Sequence, residues 1–160
     1  MAEITPRWEW RSFGWHFGGA EERLARLEPR SAQDSDEIYL LAPAGGNLKI
    51  RHDLLDIKEL REVNADGLEQ WMPIMKASFP LHAADAATVF EMLQLLNAAP
   101  DRDSYTLDEF LNQCAAQGGA VRVVTVHKRR ARYTVGGCVA EHADVVANGK
   151  AIRTIAVESE

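Results

Sequence analysis

The sequence predicts an α+β protein whose strands form a closed or nearly closed antiparallel sheet. Three observations lead there. Segments alternating at period two fill most of the first 63 residues and return after residue 120, on either side of a middle with helical spacing. Gly136-Gly137 and Asn148-Gly149 read as tight turns joining neighbouring strands. The 160 residues suit one domain, large enough to bury a core without disulfide or metal staples.

In order, Ile4 to Phe13 reads as a strand in which Trp8 and Trp10 alternate with Arg7, Glu9 and Arg11. Gly18-Gly19 breaks it, and Ala20 to Leu27 reads as a short helix ended by Pro29. Asp36–Leu41 and Asn47–Arg51 form a hairpin around Pro43, Gly45 and Gly46, and Asp56–Val63 is a fourth strand. Gly67 to Ser78 carries Leu68, Trp71, Met72 and Met75 at helical spacing, interrupted by Pro73. Ala84 to Leu96 repeats that spacing. Thr106 to Gln117 opens on a capping box, Thr106-x-x-Glu109, and closes at Gly118-Gly119. Strands follow at Val121–Val135, Cys138–Val146 and Ala151–Glu158.

Eighteen Lys and Arg against 24 Asp and Glu leave a net charge of −6, which disfavours a nucleic-acid partner. No apolar run is long enough for a membrane span, and MAEITPRWEWR lacks the apolar stretch of a signal peptide, so a cytoplasmic location without a membrane partner is expected. Cys114 and Cys138 form no CxxC and read as reduced thiols. His16, His52 and His82 make no zinc pattern, and no phosphate-binding glycine loop is present. His127 and His142 could act as bases, although structural histidines are commoner.

The basic residues are not evenly spread. Alternation puts Arg122, Lys128, Arg130 and Arg132 on one face of the 121–133 strand, Lys49 and Arg51 on one face of the third, and Arg7, Glu9 and Arg11 on one face of the first. Singly, each reads as a solvated face. Trp8 and Trp10, on the opposite face of the first strand, call for a helix packed outside the sheet, which would turn the charged faces inward. Buried charge needs partners or a counterion. Rows of Arg and Lys suit phosphate oxygens, and sparse carboxylates suit Mg²⁺ or Mn²⁺.

The ordered series WEWR (8–11), NLKIR (47–51), DIK (56–58), VHKRRARY (126–133), HADVV (142–146) and AVE (156–158) resembles the CYTH, or triphosphate tunnel metalloenzyme, superfamily. The resemblance spans nearly the whole chain. It implies an eight-stranded antiparallel β-barrel, a tunnel with helices outside, as one domain over 1–160 with a helical insert at about 66–118. It also implies Mg²⁺- or Mn²⁺-dependent hydrolysis of a triphosphate. On this reading Arg11, Lys49, Arg51, Lys58, Lys128, Arg130 and Arg132 bind substrate phosphates, and Glu9, Asp144 and Glu158 hold the metal. Glu9 and Lys58 are the catalytic candidates. Glu141 is a further carboxylate, which strict alternation puts opposite Asp144.

The chain departs from the family at two positions. Arg7 stands at the first Glu of the Glu-x-Glu-x-Lys signature, and Ala156 at the first Glu of the C-terminal Glu-x-Glu. Each departure removes a carboxylate. The alternatives are a non-catalytic tunnel for polyphosphate or nucleotide, and a class IV adenylate cyclase. The partner expected is a small phosphate-rich anion, and a homodimer is compatible with the sequence.

Overall fold

The computed structural model describes residues 5–43, 46–95, 98–117 and 119–159. Expectations at Ile4, Gly45, Leu96 and Gly118 lie outside the described residues. Among the described residues, ten strands and three helices run β1 (Arg7–Gly14), α1 (Gly19–Leu24), β2 (Ser31–Leu41), β3 (Asn47–Arg51), β4 (Leu54–Val63), β5 (Glu69–Ser78), β6 (Leu81–His82), α2 (Ala83–Met92), β7 (Ser104–Tyr105), α3 (Leu107–Ala115), β8 (Arg122–Val135), β9 (Cys138–Ala147) and β10 (Lys150–Glu158). Eight of the strands close an antiparallel barrel in the order β1-β10-β9-β8-β2-β3-β4-β5, and β6 pairs with β7 in a separate small sheet.

Turn chemistry explains the continuous β8–β9–β10 meander. Gly136 and Gly137 take φ of 58° and 78°, and Asn148 and Gly149 take 47° and 79°. Both turns thus have two successive left-handed residues, the geometry whose twist matches antiparallel strands.

The segment after β4 is not as expected. Residues 69–78 form a strand, not a helix. Pro73 would remove a helical hydrogen bond and clash with the preceding turn. In β5 it stands two residues beyond the end of the ladder with β1, at Arg7↔Trp71. From Ile74 to Ser78 burial alternates residue by residue, the period of a strand.

The chain divides into two compact units. One comprises the described residues of Met1–Asp36, Leu60–Met72 and Thr125–Glu160; the other comprises Glu37–Glu59 and Pro73–Val124.

The second unit holds the larger core. Leu40, Leu48, Ile50, Leu55 and Ile57 project from one face of β2, β3 and β4, and α2 and α3 cover them with Val89, Phe90, Phe110 and Cys114. Phe90 stacks on Phe110 with centroids 5.8 Å apart and meets Tyr105 edge-on at 6.0 Å. The capping box of α3 is formed: the Glu109 N–H donates to Thr106 Oγ1 at 3.3 Å, and the Thr106 N–H donates to Glu109 Oε2 at 2.8 Å.

In the first unit, Leu24 of α1 packs on Ala140 of β9 and Ile155 of β10. The helix expected over the tryptophans is not there, and Trp10 remains 42% exposed. With six residues, α1 reaches β9 and β10 but does not cover β1. In each unit we call the sheet face turned away from its helices the inner face.

Candidate functional site

Strand register builds the site in the first unit. Arg132 lies opposite Glu141, Glu141 opposite Ala156, and Ala156 opposite Arg11. Register partners share a face, so these four form one row across β8, β9, β10 and β1 on the inner face. Arg130 and Lys128 follow at two-residue steps on β8 and so share it. Ala156 has no side chain to fill its place in the row. Strands are about 4.8 Å apart, so β1 and β9 lie roughly 10 Å from each other. Arg11 crosses that gap over Ala156, and its Nη1 comes within 3.4 Å of Glu141 Oε1.

Glu141 is the hub. Lys128 Nζ donates to its Oε1 at 2.6 Å. Arg130 Nη1 lies 3.5 Å and Arg132 Nε 3.4 Å from its Oε2. Lys128, Arg130 and Glu141 are all buried. Burial by itself would raise the Glu141 carboxyl, but attraction to Lys128, Arg11 and Arg130 overrides it and holds the group at about 2. Arg130 also donates to Gln33. Arg11 donates to Glu9 Oε1 at 2.8 Å and to Thr154 Oγ1 at 3.2 Å, and the Thr154 hydroxyl donates in turn to the Ser12 carbonyl.

The next row is acidic. Glu158 lies opposite Glu9 on one side of the ladder, and Glu69 opposite Glu9 on the other. Each carboxylate is engaged: Glu9 by Arg11, Glu158 by Arg7 Nη1 at 3.5 Å, and Glu69 by the Trp71 indole N–H at 3.0 Å.

Asp144, expected with Glu9 and Glu158 as a metal ligand, lies on the opposite face. The β9–β10 register runs unbroken from Lys150↔Ala147 to Glu158↔Val139, so no bulge brings Glu141 and Asp144 to the same side. Asp144 Oδ1 instead accepts from Arg153 Nε at 3.1 Å. The expected three-carboxylate set is therefore not assembled. Among the described residues no group of three or more His, Cys, Asp or Glu is disposed to hold a metal ion. The side chains as placed do not fit the implied Mg²⁺ or Mn²⁺ centre.

His142 shares the face of Asp144. Its Nε2 is buried without a hydrogen bond, 3.9 Å from a Glu21 carboxylate that Arg153 holds at 2.6 Å. A pocket of about 560 Å³ is bordered by Gln33, Asp34, Arg129, Arg130, His142 and Asp144. His127 is clamped between Asp36 at 2.8 Å and Asp34 at 3.0 Å.

The second unit carries its own charged inner face. Tyr39 lies opposite Lys49, Lys49 opposite Asp56, and Asn47 opposite Lys58. Arg51 Nη1 lies 3.4 Å from Glu37 Oε1, and the Tyr39 hydroxyl donates to Glu37 Oε2 at 2.8 Å. Lys49 Nζ is 3.9 Å from Asp56 Oδ2, and burial pushes this ammonium below its ordinary value. Asn47 Oδ1 and Asp56 Oδ1 are buried without hydrogen bonds. Lys49, Arg51 and Lys58 thus share one face here, and Arg11, Lys128, Arg130 and Arg132 share one face in the first unit. Sequence reasoning misses Glu37 and Tyr39, although Glu37-Ile38-Tyr39-Leu40 alternates and carries the signal.

No family profile and no curated protein matches the chain. Among solved structures, a conserved hypothetical protein from Pyrococcus furiosus is similar over 96% of this chain and 78% of that one, at 15% identity and a TM-score of 0.52. A "putative adenylate cyclase" from Bacillus halodurans overlaps 94% of this chain and 79% of its own, at 12% identity and a TM-score of 0.49. At such identity the Pyrococcus likeness speaks for a shared barrel fold.

Proposed function

We propose that this protein binds a triphosphate-bearing anion on the inner face of β8, β9, β10 and β1, and cleaves its phosphoanhydride. The observation that carries the reading is the convergence of Lys128, Arg130, Arg132 and Arg11 on one point. Three guanidinium groups and one ammonium, held in place by β-strand register, supply the charge-assisted donors that polyphosphate oxygens accept. They would bind the phosphates and offset the charge that develops on the leaving phosphate. The resemblance to triphosphate tunnel metalloenzymes supports the same substrate class. The carboxylates that the resemblance assigns to a metal are otherwise placed: arginines engage Glu9 and Glu158, and Asp144 faces away.

A second reading, binding without turnover, is favoured by one pair of residues: Arg7 bound to Glu158, with Ala156 beside it. Phosphate release from tripolyphosphate, ATP and thiamine triphosphate separates the two. It is measured with Mg²⁺, with Mn²⁺ and with EDTA, next to calorimetric binding, and the ATP arm is also assayed for cyclic AMP. Release from any substrate supports hydrolysis, and cyclic AMP from ATP would mean a cyclase instead. Binding without product supports the second reading, and no binding refutes both.

A further inference from the structure

We infer that Glu141 is a resident counter-anion that restricts this site to polyphosphates by excluding single phosphates. The inference rests on the proposed triphosphate site and concerns its selectivity. Glu141 already occupies the place where the donors converge: Lys128 at 2.6 Å, Arg11 and Arg132 at 3.4 Å, Arg130 at 3.5 Å. It is buried, and its carboxyl is held ionised far below neutral pH. An incoming anion must take these donors from a carboxylate that is covalently part of the chain and so has no binding entropy to lose. Orthophosphate or sulfate replaces one anion by another with little gain and meets repulsion from Glu141. A di- or triphosphate brings several charged groups, so it can displace Glu141 from some donors while engaging others along the row.

Register supports the assignment. Glu141 projects into the row by the register of β9, and Ala156, between it and Arg11, leaves the crossing open. Arg11 thereby closes over the carboxylate from the far strand, adding a fourth cation to the three of β8. The same contact preorganises the cations before any ligand arrives.

The test compares wild type with Glu141→Gln by calorimetry against orthophosphate, pyrophosphate and tripolyphosphate, in EDTA and again in Mg²⁺. Wild type is expected to bind tripolyphosphate and to show no heat with orthophosphate. Glu141→Gln is expected to gain orthophosphate binding and to hold tripolyphosphate tighter by about tenfold or more. Unchanged selectivity in a folded Glu141→Gln overturns the inference and leaves the proposed function standing. Failure of wild type to bind tripolyphosphate overturns the proposed function itself. Loss of affinity in the variant only when Mg²⁺ is present would make Glu141 a metal ligand, and also overturns the inference. Removing the carboxylate leaves buried cations uncompensated; a variant that folds only with tripolyphosphate supports the inference. If it folds under no condition, the Glu141 carboxyl carbon resonance in labelled wild type decides. It must move as tripolyphosphate saturates, and a stationary resonance overturns the inference.

Discussion

Replacing Lys128 by Met removes one spoke of the Glu141 hub and keeps most of the apolar stem. Glu141 is lowered from an ordinary 4.5 to about 2. Each tenfold change in acidity corresponds to about 1.4 kcal/mol, so its ionised form is favoured in the fold by roughly 3 kcal/mol. Lys128 stands at 2.6 Å against 3.4–3.5 Å for the three arginines. By inverse distance it carries roughly a third of the attraction. The substitution should therefore cost about 1–2 kcal/mol at pH 7. That is less than the ~3–5 kcal/mol of a fully orphaned buried charge, because three guanidiniums remain. The sign with pH follows from the lowered carboxyl. Its contribution is fully present above 4.5 and is lost as pH falls through about 2, so the gap between variant and wild type should close over that window. Urea unfolding at pH 7, 4 and 2.5 reads it. A deficit that stays constant down to pH 2.5, or one above about 4 kcal/mol at pH 7, would refute a shared hub.

Arg7→Glu adds a carboxylate to the row of Glu158, Glu9 and Glu69. Its pair with Glu158 is half exposed and worth about 0–1 kcal/mol, so folding should survive. Mn²⁺ binding should then appear or tighten in electron paramagnetic resonance titrations, and an unchanged affinity would count against a carboxylate site there. Phe110→Ala empties the centre of the stack of Phe79, Phe90 and Phe110, at 0% exposure. It should cost about 3–5 kcal/mol in chemical denaturation, and a loss under ~1 kcal/mol would mean the helices do not depend on that core. The hydrogen bond to Asp36 and the charge of Asp34 raise His127 above its ordinary 6.5. A raised group stabilises fully below its ordinary value and loses this as pH rises past the folded one. Stability relative to His127→Gln should fall as pH rises above 6.5, and an NMR midpoint at or below 6.5 would disprove the clamp.

Strand existence is legible wherever the signal is local. Asn47–Arg51 begins and ends as expected, and the Gly-Gly and Asn-Gly turns take the left-handed conformations their residues permit. The capping box at Thr106 is set by two side chains three residues apart, so it needs nothing distant to form. The 69–78 segment misleads because Trp71, Met72 and Met75 satisfy helical spacing, while Trp71, Met75 and Ala77 satisfy strand spacing. Sheet pairing overrides the local pattern around Pro73.

The sequence alone determined which residues share a face within each strand, because alternation is local geometry. On that basis Lys128, Arg130 and Arg132 formed a row, and Glu141 and Asp144 were separated. It could not say which of those carboxylates meets the row. That depended on which side of β9 received α1 and on a register that sets Arg132, Glu141, Ala156 and Arg11 side by side. The two-residue turns fix register within the β8–β9–β10 meander, but the β1–β10 pairing that sets Arg11 opposite Ala156 joins strands far apart in the chain. So only the tertiary structure made Glu141 the hub and Asp144 the partner of Arg153.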